Sequence, residues 1–123
     1  KHGLNYNVFA DRKRIYEALS NLIVNSINYG KINGTTNVEI YDLGEKILIE
    51  ITDDGIGIAK PDQLRIFERF YRVDKSRSKE SGGTGLGLAI VKHIIEAHDE
   101  TINLKSQIDI GSTFSFTLKK SEK

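Results

Sequence analysis

Between Ser81 and Gly87 the chain places Gly82, Gly83, Gly85 and Gly87 directly ahead of an apolar pattern of helical period, LAIVKHIIEAH. Glycine inside a helix costs about 1 kcal/mol relative to alanine, so glycines crowded against a helix start need a reason. One reason is backbone approach. With no Cβ in the way, the phosphates of a ligand can reach bare N–H groups at the positive end of the helix dipole. The other is a plain flexible hinge, and this stretch alone does not separate the two.

Three further groups carry chemistry. Asn21, Asn25 and Asn28 stand at i, i+4 and i+7 of NLIVNSIN. At about 100° per residue they share one helix face, nearly opposite Ile15, Leu19, Leu22, Ile23 and Ile27. Solvated faces more often carry Glu, Lys or Gln, which are better helix formers. Amide oxygens suit Mg²⁺, which takes few ligands from protein and the rest from phosphate and water; a solvated face is the alternative. In ITDDGIGI (51–58) the period-two rule sets Asp53 at the end of a core-facing column, Ile47, Ile49, Ile51. A carboxylate there must find donors. Gly55 and Gly57 turn the chain and leave room for something flat, and adenine has an exocyclic amine where guanine has a carbonyl. Capping of its own loop is the alternative for Asp53, and Asp54, on the other side, reads as a solvated turn residue. In IFERFYR (66–72), Phe67 and Phe70 stand at i, i+3 as packing residues, with Arg69 beside them. Arg72 opens the polar stretch VDKSRSKESGGT (73–84), with Lys75, Arg77 and Lys79. That stretch is either solvated charge or a loop that closes over a nucleotide and brings an arginine to its terminal phosphate.

These residues need elements to hold them. Asp11 is a candidate N-cap for a helix running to about residue 29. Residues 37–43 and 45–53 alternate apolar and polar around a turn at Gly44, a hairpin. Lys60-Pro61-Asp62 starts a helix expected to reach about residue 71. A second long amphipathic helix spans about 86–98, and a last hairpin pairs 101–106 with 113–119, where Phe114, Phe116 and Leu118 share a face. This order implies an α+β sandwich, helices covering one face of a sheet. The 123 residues suffice for one domain with a real core. With 38% apolar and 28% charged residues and a net charge of +1, there is no global pull towards nucleic acid or anionic membrane. The absence of cysteine excludes disulfides and thiolate metal sites. No apolar run reaches a membrane span and KHGLNYN is no signal peptide, so a cytoplasmic location is expected.

Together these stretches resemble the ATP-binding catalytic domain of sensor histidine kinases, within the wider histidine kinase and gyrase type of ATPase. NLIVNSINYG looks like the asparagine box, DDGIGI the first glycine box, IFERFYR the phenylalanine box, GGTGLGLAIVK the second glycine box and IGSTFSFTL the closing strand. The resemblance runs from Asp11 to Leu118. It implies a Bergerat-type two-layer fold: a mixed, mostly antiparallel sheet, covered on one face by about three helices, with a mobile ATP lid over about 73–83. The chain would be a single catalytic domain, without dimerisation, phosphoacceptor or sensor domains, from a parent anchored in the cell membrane. Asn25 would hold Mg²⁺, with Asn21 beside it on the phosphate side and Arg72 reaching the terminal phosphate. Tyr29 would stack near the adenine, and Asp53 would accept from its amino group above Gly55 and Gly57. Gly83, Gly85 and Gly87 would cradle the phosphates. Asn28, Ile58, Phe70, Thr84, Leu86, Leu88 and Thr113 would complete the ATP contacts. The implied activity is transfer of the ATP γ-phosphate to a histidine of a dimerisation domain, for relay to an aspartate of a response regulator.

Three departures stand out, the first being that the stretch before Asp11 is short, so that a truncated first strand is expected. Asn28 occupies a position often lysine in the family, and Asp99-Glu100 follow His98 where two glycines are common, so the helix must end without its usual left-handed glycine. Gyrase-type enzymes place a glutamate one turn before the magnesium asparagine to activate water. Asn21 stands there, and an amide is no base. An anti-sigma-factor-like serine kinase and a degenerate docking module are the other readings; IFERFYR speaks against the first, and the intact boxes against the second. His98 falls on the apolar side of its helix as a structural histidine, and His93 faces outward.

Overall fold

The computed structural model describes residues 11–28, 34–71 and 87–120. Its elements run α1 (Arg12–Asn28), β1 (Thr36–Asp42), β2 (Lys46–Asp53), α2 (Lys60–Gln63), α3 (Gly87–Ala97), β3 (Asn103–Gln107) and β4 (Gly111–Lys119). The strands form one sheet in the order β1-β2-β4-β3, every pair antiparallel. The first hairpin closes through Gly44, whose φ of 98° few side chains tolerate and whose amide donates to Asp42 Oδ1 at 2.9 Å.

Alternation in β2 and β4 builds the core. Ile47, Ile49 and Ile51 pair with Leu118, Phe116 and Phe114, and all six are buried on one sheet face. Ala18 and Leu22 of α1 and Val91, Ile94 and Ile95 of α3 pack on that face. Each such large apolar side chain contributes about 1.5–3 kcal/mol of burial. The expected two-layer α+β sandwich is present.

The two long helices run antiparallel, and specific bonds set that arrangement. Asp11 caps α1 as expected, its Oδ1 accepting from the Arg14 amide at 3.2 Å. The Asp11 amide then donates to Nε2 of His98 at 2.9 Å, while Nδ1 of His98 donates to the Ile94 carbonyl at 2.8 Å. That tautomer follows from the bonds, because Nε2 must be bare to accept. The start of α1 is thereby fixed to the end of α3, so the start of α3 lies beside the C-terminal half of α1.

Three expectations need correction. The helix expected over 60–71 stops at Gln63. Beyond it come separate i→i−3 turns, Arg65 to Asp62, Glu68 to Arg65 and Tyr71 to Glu68, and Phe70 takes φ 64°. Ile66 is buried and Phe67 meets Phe114 edge-on at 6.0 Å, but Phe70 is 66% exposed and does not pack as expected. The buried face of α1 centres on Ala18, Leu22 and Ser26, leaving Ile27 65% exposed. Asn21 and Asn25 therefore flank the packed stripe half-buried, instead of standing opposite it. As expected, α3 ends without a left-handed glycine, and Asp99 takes that conformation in its place (φ 61°). The Glu100 amide bonds to the Ile95 carbonyl at 3.2 Å and the Asp99 amide to that of Glu96 at 3.0 Å, a Schellman arrangement with aspartate in the glycine position.

Candidate functional site

Asp53 ends the inner column of β2 and is 8% exposed. Its Oδ1 accepts from the Gly55 amide at 2.9 Å, so it does cap its own turn. A carboxylate has about four acceptor positions, and one turn bond leaves capacity for an amine. Register lines up Thr36, Asp53, Ser112 and Ser106 as one polar rung across all four strands, on the face that carries the core. Ser26 of α1, 1% exposed, meets Thr36 Oγ1 at 2.8 Å, and Ser106 meets Ser112 Oγ at 2.7 Å.

The rung fixes which end of the sheet the C-terminal half of α1 covers. Ser26 reaches Thr36, and Thr36 pairs with Asp53, so the C-terminal half of α1 lies over the Asp53 end of the sheet. Asn25 is next to Ser26, and the antiparallel packing brings the start of α3 to the same end. Asn25, Asp53 and the N-terminus at Gly87 thus converge, one from each of α1, β2 and α3. A Cβ on Gly87 would meet nothing within 4 Å, leaving open space at a helix start.

Other sequence-derived candidates sort differently. At Gly57 the space a side chain would take is filled by the neighbouring hairpin. The φ of Gly57 is 77°, and a Cβ there would lie 2.2 Å from the Gln107 carbonyl oxygen, so its bare backbone accommodates the turn between β3 and β4. Thr113 stands in register with Thr52 on the opposite sheet face, their hydroxyls 3.0 Å apart. Alternation along β4 gives the place beside Asp53 to Ser112 instead. Asp54 is no merely solvated residue: it accepts from the Thr35 amide at 3.0 Å and hydroxyl at 3.4 Å, tying the segment before β1 to the end of β2. Ile58 and Leu88 pack against the core, half-buried. Gly55 is buried. Tyr29, Arg72, Gly83, Thr84, Gly85, Leu86 and the lid over 73–83 lie outside the described residues, as does the side chain of Asn28.

Gly111 is a site residue that the sequence reading missed. At φ 137°, a Cβ on it would lie 2.0 Å from the Asp53 carbonyl oxygen, so Gly111 lets β4 close on the strand end that carries the carboxylate. A glycine at the head of an alternating strand is the signal of such an approach. Among the described residues no cluster of three His, Cys, Asp or Glu could hold a metal. A cation here would rest on an amide and on its ligand's own oxygens.

The comparisons agree with this fold. Residues 10–122 match the family described as histidine kinase-, DNA gyrase B- and HSP90-like ATPase, and the chain belongs to that family. It is 48% identical over 113 residues to the sensor-like histidine kinase SenX3 of Mycolicibacterium smegmatis, covering 92% of this chain and 29% of the relative. It is 41% identical to the sensor histidine kinase WalK of Bacillus subtilis, covering 91% and 19%. The chain thus spans under a third of these curated relatives. Among solved structures, the mycobacterial sensor histidine kinase MprB superposes with a TM-score of 0.80 at 26% identity, over 92% of this chain and 76% of that one. The catalytic domain of histidine kinase ThkA does so with 0.76 at 31%, over 90% and 69%. The fold and sequence are those of the ATP-binding catalytic domain of sensor histidine kinases.

Proposed function

We propose that this chain binds Mg²⁺-ATP at the Asp53 end of the sandwich and transfers the γ-phosphate to a histidine on the dimerisation domain of its parent kinase, for relay to a response-regulator aspartate. The observation that carries the reading is the convergence of Asn25, Asp53 and the start of α3. Asp53 accepts from the adenine amino group while its bond to Gly55 holds the carboxylate still. Ser112, beside it, offers a hydroxyl to the same base. Asn25 is the residue for Mg²⁺, whose chemistry there is to neutralise charge on the phosphate being transferred. The amides at the start of α3 add fixed positive dipole, preceded by the contacts expected of Gly83, Thr84, Gly85 and Leu86, with Arg72 at the terminal phosphate. Asn21 supplies no base, so water is not activated and the phosphate is kept for the protein acceptor. No helix among the described residues is long and apolar enough to cross a membrane, and the parent's own anchoring sequences are taken to lie elsewhere in its length.

The test is calorimetry with Mg²⁺-ATP, followed by incubation with γ-labelled ATP and the parent's dimerisation domain supplied separately. Saturable ATP binding and acid-labile label on the added domain are expected. Absence of ATP binding would overturn the whole reading. Binding without transfer would favour a docking module.

A further inference from the structure

Resting on that reading, we infer that Ser106 of β3 is a positioning residue that sets how well the base site fits adenine, acting from behind the loop over residues 55–58. Its Oγ accepts from the Ile58 amide at 2.7 Å, in line with the ordinary length of a strong bond. Gln63 clamps the same place from α2: its Nε2 donates to the Ile58 carbonyl at 2.7 Å and to the Ser106 carbonyl at 3.3 Å. The Asp109 amide takes up the Ile56 carbonyl at 2.9 Å. The loop after Asp53 is therefore bonded to the far hairpin at Ile56 and Ile58, on either side of Gly57, which is bare because that hairpin passes within contact of it.

The Ser106 hydroxyl also settles its neighbour. With one lone pair filled by Ile58, its proton has two acceptors, Ser112 Oγ at 2.7 Å and the Gly111 carbonyl at 3.1 Å. When the proton goes to Ser112, the Ser112 proton is free to serve an unprotonated ring nitrogen such as the one beside the adenine amino group. When it goes to Gly111, Ser112 donates back to Ser106 and the pair is satisfied without a ligand. The short contact holds in both cases, so Ser112 stays in place beside Asp53 and only its proton changes direction. Removing the Ser106 hydroxyl orphans the Ile58 amide and frees Ser112 to rotate. Asp53 itself, and the triphosphate end at α1 and α3, are left untouched.

This separates base recognition from phosphate binding, which a purely structural role would not do. Ser106→Ala is expected to weaken Mg²⁺-ATP binding by about 3- to 10-fold, to narrow the preference for ATP over GTP by a similar factor, and to leave Mg²⁺-tripolyphosphate binding unchanged. Ser106→Thr, which keeps the hydroxyl, should restore the preference, and Gln63→Ala should narrow it independently. Glu100→Gln, at the other end of the sheet, serves as a control that lowers stability without altering the preference. A Ser106→Ala protein with wild-type preference, or one whose ATP and tripolyphosphate affinities fall together, overturns the inference. A wild-type chain that binds no ATP fails in the first titration, and that result sinks the functional reading itself.

Discussion

Asp53 does two things that its sequence could state only as alternatives: it caps its own turn and it stands on the inner sheet face at the converging end of α1 and α3. Asparagine in its place keeps an oxygen for the Gly55 amide, so the turn should survive, but it loses the charge that an amine would meet. Asp53→Asn is expected to weaken ATP binding by about 1–3 kcal/mol with little change in melting temperature. Unchanged affinity by calorimetry, or equal affinity of the wild type for ATP and GTP, would remove the assignment. Period two was enough to place Asp53 because Ile47, Ile49 and Ile51 mark the phase. The same rule, counted from Phe114, assigns Ser112 and not Thr113 to the inner face beside Asp53. Ser106 and Gly111 were not legible as site residues, because their part depends on contacts with residues 53 and 58, far away in sequence.

At the scale of elements, the long helices and both hairpins were readable, since each has a cap or turn residue at its boundary and a clear apolar period. The stretch over 64–71 was not. Its apolar spacing suits a helix, but Gln63 is drawn to Ile58 and Ser106, and the Tyr71 hydroxyl donates to Asp62, which favours separate turns over a continuous spiral. The end of α3 shows the opposite case, where the backbone form survives and the residue changes. Asp99 holds the left-handed position at a penalty of about 1 kcal/mol, part of which glycine would return through its freer unfolded chain. Asp99→Gly should therefore stabilise the domain by about 0.5 kcal/mol in urea denaturation, and a loss of stability would mean that the Asp99 side chain has a favourable contact of its own. Glu100 shows why the second glycine is dispensable. Its side chain is 7% exposed, and Oε1 accepts from Lys46 Nζ at 3.0 Å and from Thr117 Oγ1 at 2.6 Å, joining the end of α3 to β2 and β4. Burial alone would raise its pKa, but the bonds from Thr117 and Lys46 and the charges of Lys46 and Lys119 outweigh burial and hold the carboxyl below the usual glutamate value. A lowered folded pKa stabilises above the unfolded value and loses that stabilisation as pH falls through the folded one. Wild type should accordingly lose stability faster than Glu100→Gln on acidification below the ordinary glutamate range. Parallel curves for the two proteins would show that the carboxylate contributes nothing.

For the whole molecule, the proposed ATP site stands at one end and the described histidines do not share it. His98 lies at the far end of α3, where Nε2 accepts from Asp11 and Nδ1 donates to Ile94, so neither nitrogen is free to attack a phosphate. His93 is exposed and stands six residues after Gly87, about 9 Å along the helix axis from its start at about 1.5 Å per residue. In-line transfer needs the attacking nitrogen within about 3–3.5 Å of phosphorus, and a rigid helix cannot bring His93 there. His2 lies outside the described residues, in a sequence, KHGLNYN, that lacks the acidic residue and proline that follow the family's acceptor histidine. Under the proposed function the acceptor lies on a second domain, which fits a chain that spans under a third of its curated relatives. Incubated alone with γ-labelled ATP, the chain is expected to bind nucleotide, to hydrolyse it slowly for want of a base at Asn21, and to carry no acid-labile, alkali-stable label. With the parent's dimerisation domain added, label should appear on that domain only. Label on the isolated chain that persists in His93→Gln and disappears in His2→Gln would place the acceptor at the N-terminus and overturn the division of labour between domains.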